Sequence, residues 1–262
     1  VIIHLLSRET RAFMPHISLR AEEILRLGAW PITNGLLLAI IVSMFLMILV
    51  SLYHRKLALI PGKFQNVAEF FIEGIFNLMD SVLGDRRKTE KYLPLVATIF
   101  IFILFSNWFG LLPIVGSIGF TTLHGNEKEF TPLFRSPAAD LNFTLAIALI
   151  AVLTVNIFGV IALGPKIHFS KFFNFKSPIG FFIGILELIS EVAKVVSFSF
   201  RLFGNVFAGE VLLIITGFLV PYIVPLPFLF LEIFVGFIQA FVFAMLSLVF
   251  VAIATAEHER AH

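Results

Sequence analysis

The chain has 262 residues, of which 59% are hydrophobic, 15% aromatic and only 14% charged. A soluble domain carries about 25% charged residues, and a soluble fold of this size cannot hide so much apolar surface. Lipid is the solvent this composition implies, which excludes a disordered protein and a nucleic-acid binder with a basic face. The absence of cysteine excludes disulfides, thiolate zinc sites and cysteine nucleophiles. Lys plus Arg is 19 against 17 Asp plus Glu, a net charge of +2, which says nothing about partners until the charges are placed.

Residues 1–31 form a polar segment with Arg8, Glu9, Arg11, Arg20, Glu22, Glu23 and Arg26, and they lack the clean apolar stretch of a standard signal peptide. Ile32 to Tyr53 is an uncharged run long enough to cross a bilayer, which takes about 20 apolar residues. Asn34-Gly35 loosens its start and His54-Arg55-Lys56 stop it. From Gly62 to Asp85 the residues Phe64, Val67, Ala68, Phe71, Ile75, Leu78 and Met79 recur at helical spacing. That pattern is an amphipathic helix, lying on the membrane surface or packed on the protein's own flank.

Leu93 to Ile118 is a second span, interrupted by Asn107 and Trp108 and ended or kinked by Pro113. Thr121 to Asp140 reads as a polar loop with Glu127, Lys128, Glu129 and Arg135. Phe143 to Leu163 is the third span, followed by a basic loop with Lys166, Lys171 and Lys176. Ile179 to Phe218 and Pro227 to Glu257 are uninterrupted apolar stretches of about 60 and 46 Å if helical. A hydrocarbon core of about 30 Å cannot hold either upright, so both must tilt steeply, bend or run partly along the membrane. An uncharged turn from Gly217 to Pro227 joins them. The expected fold is all-α and integral to the membrane, a single domain over 1–262. It has about five membrane-embedded helices and one surface helix over 62–85, and it ends in a long tilted hairpin over 179–257.

Orientation follows from Lys and Arg in the loops. The segment from His54 to Lys91 is the richest in them, and the loop before the long helices is next. Both belong on the cytoplasmic side with the C-terminus, leaving the N-terminus outside. The arginines of the N-terminal segment argue weakly against this.

Ionisable residues inside a span are costly and usually face water or a partner. The long segments contain Glu187, Glu191, Lys194, Arg201, Glu210 and Glu232, whereas the first three spans contain none. At about 100° per residue, Glu187, Glu191, Lys194, Arg201 and Asn205 fall in a stripe roughly 80° wide, and Glu210 lies on nearly the opposite face. Glu232, Gln239 and Glu257 form a second stripe on the last helix. Glu187, Glu191 and Lys194 are better explained by internal ion pairing, or simply by the interfacial end of the helix. Arg201 is a permanent cation with no carboxylate three or four residues away, so it calls for one from elsewhere. Glu210 and Glu232 are candidate proton relays or a helix-linking pair of acids. Gln239 either bridges helices or merely packs. The scattered histidines, including the His258/His262 pair at the tail, carry no strong sign of a metal site.

The run Ser199-Phe200-Arg201-Leu202-Phe203-Gly204-Asn205-Val206-Phe207-Ala208-Gly209-Glu210 closely resembles the signature of subunit a of F-type ATP synthases. Glu232, Gln239-Ala240-Phe241-Val242-Phe243 and Ala256-Glu257-His258 are similar to the family's last helix. Pro61-Gly62 with Gln65-Asn66 and Glu69, and Asp140-Leu141-Asn142-Phe143-Thr144, fit the same pattern. The resemblance implies a stator beside a rotating c-ring, held by peripheral stalk subunit b in a lipid bilayer, most simply a bacterial inner membrane. Neither nucleic acid nor nucleotide would bind this chain, and it would carry no catalytic chemistry, cofactor or metal of its own. Arg201 then matches the essential arginine facing the ring carboxylate, and Glu210 and Glu232 match the positions lining the outer proton inlet. One of those positions is His in some members, so an all-carboxylate inlet departs from a His-based relay. Asn205 and Gln239 match polar positions beside the arginine, and Glu187, Glu191, Lys194 and Glu257 would border the cytoplasmic outlet.

Overall fold

A computed structural model describes residues 21–27, 30–55, 58, 62–124, 127–172, 178–221 and 223–256. Helices dominate: α1 (Asn34–Arg55), α2 (Lys63–Leu83), α3 (Arg86–Gly110), α4 (Leu141–Leu163), the short α5 (Pro165–Ser170), α6 (Pro178–Leu219) and α7 (Pro225–Ala256). Five of them, α1, α3, α4, α6 and α7, are long and apolar enough to cross a membrane. The expected architecture of five long helices plus one amphipathic helix therefore stands.

The differences lie in the connections. The sequence from Thr121 reads as loop, yet β3 (Gly119–His124) and β4 (Glu127–Pro132) form an antiparallel ribbon in which Gly119 faces Pro132 and Thr121 faces Phe130. A single 3-10 turn over Pro137–Ala139 then leads into α4. A smaller ribbon, β1 (Glu23–Leu27) with β2 (Trp30–Thr33), lies in the stretch read as a polar N-terminal segment and its first apolar residues. Helix α3 starts at Arg86 rather than Leu93, because Asp85 caps it by accepting from the Arg87 N–H at 2.9 Å. It absorbs Pro94 in its third turn and stops at Gly110, before Pro113 can kink it.

The amphipathic helix packs on the protein's own flank along its later turns only. Phe76 and Met79 in the later turns of α2 are buried, with Met79 in the common core, while Val67, Phe70, Phe71 and Ile72 in its first turns stay exposed. Gly84, at a left-handed φ of 64°, ends the helix by donating its N–H to the Asp80 carbonyl.

The core lies where α3, α4, α6 and α7 meet, around Val96, Ile103, Ala148, Val155, Leu202 and Leu248. Phe198 of α6 stacks on Phe243 of α7 with ring centroids 4.5 Å apart. Helices α6 and α7 run unbroken for 42 and 32 residues, about 63 and 48 Å. The start of α1, the end of α3 and the start of α4 meet at one end of the bundle, where Asn34 donates to the Pro132 carbonyl and Ser136 fills the space beside Gly110. The end of α4, α5, the first turns of α6 and the last turns of α7 meet at the other end.

Candidate functional site

The buried face of α6 is built from Phe198, Ser199, Leu202 and Gly209, with Ser199 sharing a hydrogen bond of 3.1 Å with Thr144 of α4. The opposite face carries Ser197, Phe200, Arg201, Gly204 and Asn205, all exposed. Arg201 donates through Nη2 to Ser197 Oγ at 3.2 Å. Among the described residues no carboxylate pairs with it. A permanent cation therefore stands on the outward face of a membrane-length helix, with one hydroxyl of its own chain as company.

On the side toward the α6–α7 turn, Asn205 Nδ2 donates to Gln239 Oε1 of α7 at 2.8 Å. Gln239 is 5% exposed, and its Nε2 is buried without a partner. The bridging reading of Gln239 is thus what the structure shows. Glu210 does not pair with Glu232. It meets Arg135, with Nε 3.2 Å from Oε1 and Nη2 donating to Oε2 at 3.3 Å. Arg135 is only 8% exposed and Glu210 27%. The guanidinium also lies over the Phe207 ring, 6.0 Å from its centroid. Glu232 lies in a notch in α6: its carboxyl group occupies the space that a Cβ at Gly209 would need. Both acids therefore reach the same short stretch of α6, one through its own helix and one across from α7.

Asn107 and Trp108, which look like mere interruptions of an apolar run, hold α3 against this part of α7. Asn107 Nδ2 donates to the Gly236 carbonyl at 3.0 Å, and Trp108 Nε1 donates to the Ile233 carbonyl at 3.1 Å. Those carbonyls lie between Glu232 and Gln239.

At the far end of α6 the charges pair internally. Lys194 Nζ is 2.7 Å from Glu191 Oε1, and Lys171, just past α5, is 3.6 Å from Glu187. Glu191 Oε2 also accepts from Asn156 Nδ2 of α4 at 3.1 Å, and Asn156 Oδ1 meets His168 Nε2 at 3.1 Å. The stripe of five polar residues on α6 is thus divided: Glu187, Glu191 and Lys194 turn toward α4 and α5, Asn205 toward α7, and Arg201 toward neither. Glu257 lies outside the described residues.

Arg135, Asn156 and His168 are the site groups that sequence reasoning passed over. Arg135 sits 75 positions from Glu210 and Asn156 sits 35 from Glu191, so no local spacing links them. The available hint was that each is a polar residue in or beside an otherwise apolar element. Among the described residues no three His, Cys, Asp or Glu side chains converge as metal ligands would. The groups present are acids, amides and cations strung along two helices, which suits them to passing and holding protons. Arg201 is about 15 Å along the helix from Glu191 and about 13.5 Å from Glu210.

Residues 36–252 match the family model described as ATP synthase A chain. A protein named ATP synthase subunit a from Moorella thermoacetica is 35% identical over 239 residues, covering 91% of this chain and 97% of that protein. One of the same name from Campylobacter jejuni subsp. doylei is 36% identical over 219 residues, covering 82% and 87%. A third, from Campylobacter concisus, is 34% identical over 224 residues, covering 84% and 89%. Five membrane-length helices, an outward arginine on α6 flanked by two polar clusters, and a match over most of the chain lead to one conclusion: this membrane protein belongs to the ATP synthase A chain family.

Proposed function

We propose that this chain is the proton-translocating stator subunit of an F-type ATP synthase, with Arg201 separating two offset half-channels that load and unload the carboxylates of a rotating c-ring. The observation that carries this reading is Arg201 itself: exposed on α6, without a carboxylate partner among the described residues, and set between two polar clusters. A cation that keeps its proton attracts a ring carboxylate when that group is ionised and releases it when it is protonated. The same property stops protons from hopping straight between the half-channels.

Glu210 and Glu232 form the inlet, with Arg135 holding Glu210 and Gly209 giving Glu232 its place. Asn205 and Gln239 line the step between inlet and arginine. Glu187, Glu191, Lys194 and Glu257 border the outlet. Lys- and Arg-rich segments put the outlet in the cytoplasm and the N-terminus outside, in a bacterial plasma membrane, with the inlet cluster facing outward. Helices of about 63 and 48 Å in a core of about 30 Å must tilt, which lets one surface follow a curved ring. The exposed apolar faces of α1 and α2 are left for lipid and for peripheral stalk subunit b.

Arg201→Ala in the whole complex, reconstituted in liposomes, tests the reading. ATP-driven proton uptake should disappear while the complex still assembles. Wild-type uptake in that variant would refute the role.

A further inference from the structure

His168 is 1% exposed, though it belongs to a short helix in a basic connection. Gly164, at φ 81°, and Pro165 fold α5 back under α4. Gly159 of α4 leaves the ring its space, since a Cβ there would collide with the imidazole. Phe169 and Phe172 meet the ring edge-on at 5.8 and 6.0 Å. An apolar enclosure of this kind is an unusual place for a titratable ring, and the ring reaches Asn156 from it.

Asn156 joins the ring to Glu191. Its Nδ2 donates to Glu191 Oε2, and its Oδ1 faces His168 Nε2. An amide has one donating and one accepting end, and an ionised carboxylate only accepts. With Glu191 ionised, Asn156 presents Nδ2 to it and Oδ1 to the ring, so His168 Nε2 must carry a hydrogen. If Glu191 takes up a proton and donates, the amide turns over and Nε2 must be bare. An imidazolium carries a hydrogen on both nitrogens and so permits only the first arrangement. A neutral ring permits both, the second at the expense of the bond that Asn156 Nδ2 also donates to the Val152 carbonyl at 3.0 Å.

We infer that His168 is a positioning residue for Glu191, acting through Asn156, and that its charge makes proton uptake at the cytoplasmic half-channel depend on pH. The inference rests on the reading of Glu191 as part of that half-channel. Among the described residues the other charges facing Glu191 are Lys194 on its own helix and the Lys171–Glu187 pair next to α5. Helix α4 has no charged residue, and α7 has only Glu232, far along the helix. Lysine and glutamate ordinarily titrate outside pH 6–8, whereas histidine, near 6.5 in water and lowered by burial, changes charge toward the acid side of that range.

The test uses the whole complex in liposomes, with ATP-driven proton uptake per assembled complex measured from pH 5.5 to 7.5 on the ATP side. Each variant is expressed as a ratio to wild type, which cancels the pH dependence of ATP hydrolysis. His168→Gln keeps an amide donor toward Asn156 but never becomes a cation. Its ratio should stay near one at pH 7.5 and rise at pH 5.5 by about threefold, half a unit of coupling. Asn156→Leu cuts the link and also removes a donor to Glu191, so its ratio is read as the rise from pH 7.5 to pH 5.5, which should match that of His168→Gln; either variant suffices if the other does not assemble. A flat or falling ratio in the assembled variants would overturn the inference. Glu191→Gln separates the two failures. If it lowers uptake while the His168 and Asn156 ratios stay flat, the half-channel stands and the coupling falls. If Glu191→Gln pumps like wild type, both fall.

Discussion

Gly209→Ala should leave the fold intact and damage the function. In a helix interior alanine is favoured over glycine by about 0.5–1 kcal/mol, so α6 itself gains. The obstacle is the Glu232 carboxyl group, which fills the space of the new methyl. To reach ordinary contact near 3.5 Å the carboxyl must withdraw by about 1.5 Å, and it is the mobile end of a side chain, so it can. A misplacement of about 1 Å in a reacting group can lower a rate on the order of 100-fold. Proton uptake per assembled complex should therefore fall by about 10- to 100-fold, with subunit content unchanged and thermal stability no lower. Adding Glu232→Asp, which shortens the acid by one methylene, should restore part of the loss. Normal uptake in assembled Gly209→Ala would refute the placing of Glu232 in that notch as a working part of the inlet.

The Arg135–Glu210 contact at 3.2 Å has a gross attraction of about 5 kcal/mol at an effective dielectric near 20. With Glu210 27% exposed, a net coupling of about 1–2 kcal/mol is expected. Arg135→Leu should lower the melting temperature of the purified complex, and Arg135→Leu with Glu210→Gln should recover most of it; simply additive effects would deny the pairing. Glu210→Gln alone should slow proton uptake, and unchanged flux would remove Glu210 from the path. Trp108→Phe deletes the donor to the Ile233 carbonyl together with one ring of the indole, and should cost at least about 0.5–1 kcal/mol of α3–α7 packing. An unaltered melting temperature would show that the contact contributes nothing.

Much of the fold was legible because apolar runs bounded by charge fix membrane helices with little help from tertiary context. Phe143 to Leu163 became α4 with two residues added at its start, and the two long stretches became α6 and α7 to within a few residues. The charged start of α3 was missed because a run from Arg86 to Lys91 looks like loop beside a membrane span. Asp85 was the available capping signal. The β3–β4 ribbon was missed although Gly125-Asn126 follows Phe120-Thr121-Thr122 and precedes Phe130-Thr131, the dipeptide pattern of a tight hairpin. At the site, Arg201 was legible from the lack of any neighbouring acid on its helix, and Asn205 and Gln239 from the two separate runs that carry the family resemblance. The partner of Glu210 was not, because an ion pair between α6 and a connection 75 residues earlier leaves no local trace. The link from Glu191 through Asn156 to His168 likewise depends on α5 folding back under α4, which hydropathy does not report.

The most direct measurement is disulfide cross-linking from the Arg201 face. The chain contains no cysteine, so the background is clean. Ser197 and Gly204 lie four residues before and three after Arg201, on the same exposed side of α6, and nothing lies within 4 Å of where a Cβ at Gly204 would stand. Ser197→Cys or Gly204→Cys, paired with a cysteine beside the ring carboxylate and oxidised in the assembled complex, should give an a–c cross-link. If neither position cross-links in a complex shown to be assembled, Arg201 does not face the rotor, and the stator mechanism is contradicted.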